Sequence, residues 1–125
     1  MREDLEELLE SAEEDLKLAK AALNMELFRL SAFHSQQCVE KMLKAFLLYK
    51  KGSYPFSHVI SDLLKDCLEL DGHFKYLLKL KIQKVEIYYT GARYPPILRV
   101  SKHEAREAME IAEKVKEFIL KKIGL

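Results

Sequence analysis

The stretch Phe33–Tyr49, FHSQQCVEKMLKAFLLY, decides the fold. Phe33, Cys38, Val39, Met42, Leu43, Ala45, Phe46, Leu47 and Tyr49 spread over most of a helical circumference, so a helix here has to be packed on several sides. One narrow strip escapes. His34, Gln37, Lys41 and Lys44 recur at the three- and four-residue steps that stack side chains on one face. The spacing therefore predicts a largely buried helix over about 28–50 that carries a polar strip, the kind of place where a bundle can build a site.

Working outward, residues 3–24 repeat apolar positions at Leu5, Leu8, Leu9, Ala12, Leu16, Ala19, Ala22 and Leu23, with acids crowded into the early turns where the helix dipole favours them. This predicts an amphipathic helix with a solvated acidic face, stopping at Asn24. After the central helix, Gly52 and Pro55 break the pattern, and Ser57 offers an N-cap for a short helix over about 58–70. A further helix is expected over about 74–89, ending near Gly91. Pro95 and Pro96 then force an extended connection. Ser101 with Glu104 spells a capping box for a last helix with a small-residue face, closed by Gly124. No strand signal and no internal repeat stand out. The predicted architecture is all-α, an antiparallel up-and-down four-helix bundle with an additional short helix, in a single domain over residues 1–125.

Composition excludes more than it assigns. Of the 125 residues 33% are charged, yet the net charge is +1, which gives no sign of a nucleic-acid or membrane partner from bulk charge. The signs are distributed unevenly: residues 1–26 hold three basic against nine acidic side chains, and residues 27–58 five against one. No signal-peptide core and no apolar run of membrane-spanning length occur, so a soluble, cytoplasmic protein is expected. Abundant Glu and Lys with a single asparagine, Asn24, point toward a thermophile source. Cys38 and Cys67 sit inside helical patterns and read as buried free thiols. Isolated glycines exclude a phosphate-cradling loop, and scattered His and Cys leave no metal-binding spacing, so neither a cofactor nor a metal is expected.

Two places are left for chemistry. In the strip, the ammonium groups of Lys41 and Lys44, one turn apart, suit phosphate oxygens; equally, Lys44 pairs with Glu40 and both lysines reach solvent. In YYTGARYP, residues 88–95, an arginine stands among three tyrosines, so Arg93 can grip a phosphate while a base or ribose packs on the rings. The alternative there is structural, with Tyr88 and Tyr89 ending the core and Arg93 capping a helix C-terminus or pairing with an acid of the first helix.

HSQQCVEKMLKA (34–45), SHVISDLL (57–64) and YYTGARYP (88–95), in that order in a short helical chain, resemble the HEPN domain, the higher eukaryote and prokaryote nucleotide-binding family. Its central pattern, His-Gln-Ala-Ala-Glu-Lys-x-x-Lys-Ala, is met by His34, Gln37, Glu40, Lys41, Lys44 and Ala45, with one extra residue after His34 or with Gln36 as the family glutamine. His58 matches the family's later histidine, and Tyr89, Arg93, Tyr94 and Pro95 its Arg-Tyr-Pro loop. The resemblance implies a homodimer whose cleft, bordered by His34, Gln37, Lys41, Lys44, His58, Tyr89, Arg93 and Tyr94, binds a nucleotide or RNA phosphate. It also implies a minimal nucleotidyltransferase as partner in a toxin–antitoxin-like pair. Another branch of the family cuts RNA without metal, using an Arg separated from a His by four to six residues. Here Arg29 with His34 is a formal match outside the motif's place, and Arg99 with His103 is one residue short, so a metal-independent ribonuclease is the alternative reading, beside a dimerisation module without ligand.

Overall fold

A computed structural model describes residues 2–125. Among them the chain is all-helical: α1 (Glu3–Asn24), α2 (Phe28–Lys51), α3 (Ile60–Leu70), α4 (Lys75–Lys79) and α5 (Lys102–Ile123), with 3-10 segments at Gly72–Phe74 and Ile82–Tyr88. The long helix α2 lies at the centre. It buries Cys38, Val39, Met42, Leu43, Ala45, Phe46 and Leu47 against the stripe Leu5, Leu9, Ala12, Leu16 of α1 and the Ala108, Ala112, Val115, Ile119 face of α5. Phe74 fills the far end, its ring 4.5 Å from Phe46 and 5.0 Å from Phe118.

Register follows from the cross-helix pairs. Ser31 donates to the Ala19 carbonyl, His34 bonds Asp15 and Lys41 bonds Ser11, so α1 and α2 run antiparallel. Lys20 meets Glu113 and Lys116 meets Glu13, so α5 also opposes α1. α3 runs alongside α2 in the same direction, and the chain from Phe74, beside Phe46 and Phe118, to Arg93, beside Phe33, makes the return pass that completes the up-and-down order.

The ends obey local chemistry. Gly52 and Gly124 take the left-handed conformation that closes α2 and α5. Ser101 and Glu104 form the expected reciprocal capping box. Both cysteines are buried and free, and burial pushes each thiol up to about 12, which removes them as nucleophiles near neutral pH.

Three expectations need correction. The helix expected over 74–89 is two pieces: Lys81 adopts a left-handed backbone at φ 58°, and Ile82–Tyr88 continues as 3-10 helix. The buried residues explain it. Ile82, Val85 and Tyr88 recur every third position, the period of a 3-10 helix, whose eclipsed side chains then line one buried edge. The short helix begins at Ile60 rather than 58, because Ser57 accepts from the Val59 amide and so forms a local turn outside the helix. The third concerns the acidic face of the first helix: Asp15 is buried, at 7% exposure, where a solvated face was expected.

Candidate functional site

Buried charge on α2 is organised around two carboxylates. Asp15, reaching across from α1, accepts from His34 Nδ1 at 2.9 Å and from Lys41 Nζ at 2.6 Å, while Ser11 takes another Lys41 proton at 2.7 Å. Glu40, itself 4% exposed, accepts from Gln36 Nε2, Lys44 Nζ and His58 Nδ1, each at 3.0 Å. Gln37 joins that cluster by donating to Gln36 at 2.7 Å. Because a carboxylate only accepts, both histidines present an N–H at Nδ1. The reason for this wiring is energetic: a buried ammonium without a counter-charge costs several kcal/mol, about 3–5 by partner-removal experiments.

The lysines therefore differ from their expected role. They do not frame an unfilled anion position with Arg93; Lys41 is neutralised by Asp15 and Lys44 by Glu40, and Tyr54 covers Lys44 with its ring centroid 5.6 Å away.

Arg93 is handled differently. It lies on the exposed turn that follows Tyr89, and among the described residues it has no carboxylate partner. Its Nε donates to the Tyr89 carbonyl at 2.9 Å, and its guanidinium carbon sits 4.7 Å from the ring centres of Phe33 and Tyr89 and 5.0 Å from that of Tyr94. The rings offer the guanidinium no acceptor, and among the described residues its terminal N–H groups have no hydrogen-bond partner, so they are left to meet a phosphate or carboxylate. Gly91 closes the turn: its carbonyl accepts from the Leu98 amide at 2.6 Å, and a Cβ at Gly91 would lie 2.9 Å from the Ile87 oxygen.

Tyr89 joins the two parts. His58 stacks on it at 4.3 Å and 13°, so one chain of contacts runs from Lys44 and Glu40 through His58 and Tyr89 to Arg93. It continues from Arg93 to Phe33, whose ring meets His34 edge-on at 5.2 Å, and so reaches the Asp15 cluster. All eight residues expected to border a cleft, His34, Gln37, Lys41, Lys44, His58, Tyr89, Arg93 and Tyr94, belong to this network. The candidate Arg–His pairs are not bonded: among the described residues no hydrogen bond joins Arg29 to His34, which are five positions apart on α2 and so lie on different sides of it, nor exposed Arg99 to His103.

Sequence reasoning missed Asp15, Ser11 and Phe33 as members. Asp15 had a signal, since it falls on the stripe of Ala12, Leu16 and Ala19, where an acid needs a buried partner. Phe33 had none beyond its place beside His34.

An all-helical fold around a charge-wired central helix, with an arginine in a Tyr-rich turn, is the arrangement of a small helical-bundle domain. The family model for the HEPN domain matches residues 5–123, and the chain belongs to that family. It is 34% identical to "Putative toxin MJ1304" of Methanocaldococcus jannaschii, over 94% of this chain and 89% of that protein. Among solved structures it is similar to TT1696 from Thermus thermophilus, with a TM-score of 0.84 and 28% identity over 97% of this chain and 99% of that one. It is also similar to ST0689, an archaeal HEPN homologue, with a TM-score of 0.77 and 25% identity over 98% and 99%. Among the described residues no helix is long and apolar enough to cross a membrane, and no group of His, Cys, Asp and Glu is disposed to hold a metal ion.

Proposed function

We propose that this chain is a toxin-like HEPN protein that binds a nucleotide or RNA phosphate at Arg93 and acts, as a homodimer, with a minimal nucleotidyltransferase. The observation that carries the reading is the state of the Arg93 guanidinium: held by three rings and a carbonyl, with no acid beside it, whereas the lysines of the neighbouring strip are paired. A fork so placed is oriented before any ligand arrives, which lowers the entropic cost of gripping an oxyanion. Support for the toxin-like character comes from the name of the relative in Methanocaldococcus jannaschii. His58, Tyr89 and Tyr94 would line the ligand directly. His34, Gln37, Lys41 and Lys44 would set the shape and potential of the α2 face beneath it. Titration calorimetry of the full chain with nucleoside triphosphates tests this. Binding that weakens tenfold or more in Arg93→Ala is expected, in line with the strength of charge-assisted bidentate pairs; absence of any binding by the unaltered protein would remove the ligand part.

A second reading, metal-independent RNA cleavage, is favoured by one feature: His34 and His58 are each oriented through Nδ1 by a carboxylate, as general acid–base histidines are. Intact RNA after prolonged incubation with concentrated protein in EDTA counts against it.

A further inference from the structure

Beside the His58–Tyr89 stack lies a depression of about 460 Å³ lined by Phe56, His58, Val59, Glu86, Tyr89 and Thr90. Its walls are mostly apolar, and one is unexpected: Phe56 is fully exposed, at 101%, beside Pro55 in the link before α3. A phenyl ring held outside the core gains nothing from folding, yet it is a ready platform for a flat partner. Glu86 is among the lining residues. Its Oε1 accepts from both the Ser61 amide and the Ser61 hydroxyl at 2.8 Å, which fixes the carboxylate at the start of α3. Its Oε2 has no partner among the described residues, so an immobilised acceptor stands at an aromatic-walled depression.

We infer that this depression is a base subsite, with Glu86 selecting a nucleobase that presents two adjacent N–H donors on one edge, as guanine does. The inference rests on the reading that Arg93 takes the phosphate of a nucleotide. Tyr89 ties the two together, since its ring bears both the His58 stack and the guanidinium. The chemistry discriminates among bases. Adenine and cytosine offer an amine next to an acceptor nitrogen, and uracil offers one N–H between two carbonyls, so each sets lone pairs against a carboxylate. Guanine meets the free Oε2 with donors alone, its ring N–H and its exocyclic amine both pointing at that one oxygen, and readout of this kind separates bases by roughly tenfold or more. Stacking on Phe56 and on the outer face of His58 holds any base and does not choose among them.

The test is calorimetric titration of the full chain, and of Glu86→Gln and Phe56→Ala, with GTP, ITP, ATP, UTP and inorganic triphosphate. GTP is expected to bind roughly tenfold or more tightly than ATP and UTP, with ITP, which lacks the exocyclic amine, between them. In Glu86→Gln, which keeps an acceptor for Ser61, the preference is expected to vanish while ATP affinity changes by less than about threefold. Phe56→Ala should weaken all the nucleotides and leave triphosphate unaffected. Equal affinities for all the bases, lost together in Arg93→Ala, would overturn the base subsite and leave the phosphate reading standing. No binding of any nucleotide would overturn both. A guanine preference that survives in folded Glu86→Gln, checked by its thermal transition, would overturn the assignment to Glu86.

Discussion

Lys44 and Arg93 carry the same charge and belong to one network of contacts, yet their settings are opposite. Lys44 is 7% exposed on the central helix and lies against a buried carboxylate that also holds His58 and Gln36. Arg93 is exposed on a turn, has no acid, and is held by Phe33, Tyr89 and Tyr94. The difference shows what a charge costs in each place. Inside a bundle a cation has to arrive with its own counter-ion, and once neutralised it has little left for a ligand. At the surface, rings orient a guanidinium without cancelling it, each contributing about 0.5–1 kcal/mol. On the proposed reading the helix strip is architecture, and the turn is where an anion would bind.

The sharpest way to break that comparison is to remove the acid of the buried set. Glu40→Ala leaves Lys44 enclosed without a counter-charge, and urea unfolding should show a loss of about 3–5 kcal/mol. Little change would mean that Lys44 swings to water and the strip is not structural. Next in size is the hinge of the exposed set. Gly91→Ala sets a methyl 2.9 Å from the Ile87 oxygen and 3.3 Å from Leu98 Cβ, so the backbone has to move. Overpacking of this kind costs about 1–3 kcal/mol. Nucleotide affinity should fall with it, because the same turn carries Arg93; retained affinity would separate the site from the turn. The smallest effect sits at a third charge setting, on the surface. Lys122 donates to Asp71 at 2.8 Å, and this hydrogen bond holds the Asp71 carboxyl below its ordinary range. A lowered folded-state pKa gives stability that is present above the unfolded pKa and is lost as pH falls through the folded one. Lys122→Met should therefore lower the melting temperature modestly at neutral pH, with the gap to the unaltered protein closing in acid. A gap that widens in acid would contradict the assignment.

How much of this was legible beforehand varies with the kind of interaction. Helix positions were plain where they rest on local period and capping: the apolar run from Cys38 to Leu47, the Ser101–Glu104 box, Gly52 and Gly124. The break at Lys81 was not, because no glycine marks it; the three-residue spacing of Ile82, Val85 and Tyr88 was its trace, and over one short segment that period is hard to tell from a helical one. At the site, the composition of the Tyr-Arg turn was visible, and the i, i+4 pairing of Glu40 with Lys44 could be weighed. The bond from Asp15 to His34 and Lys41 joins residues 19 and 26 positions apart, and which acid faces which cation depends on the register of α1 on α2. That register is a product of packing, so charges that looked available in one dimension proved spoken for in three.

The central claim, that the anion-binding cation is Arg93 and not the lysines of α2, is tested most directly by measuring GTP affinity for Arg93→Ala and Lys41→Met side by side, at a temperature where both are folded. The account predicts a loss of tenfold or more in Arg93→Ala and a change within about threefold in Lys41→Met. Full affinity in Arg93→Ala together with lost binding in folded Lys41→Met would contradict it.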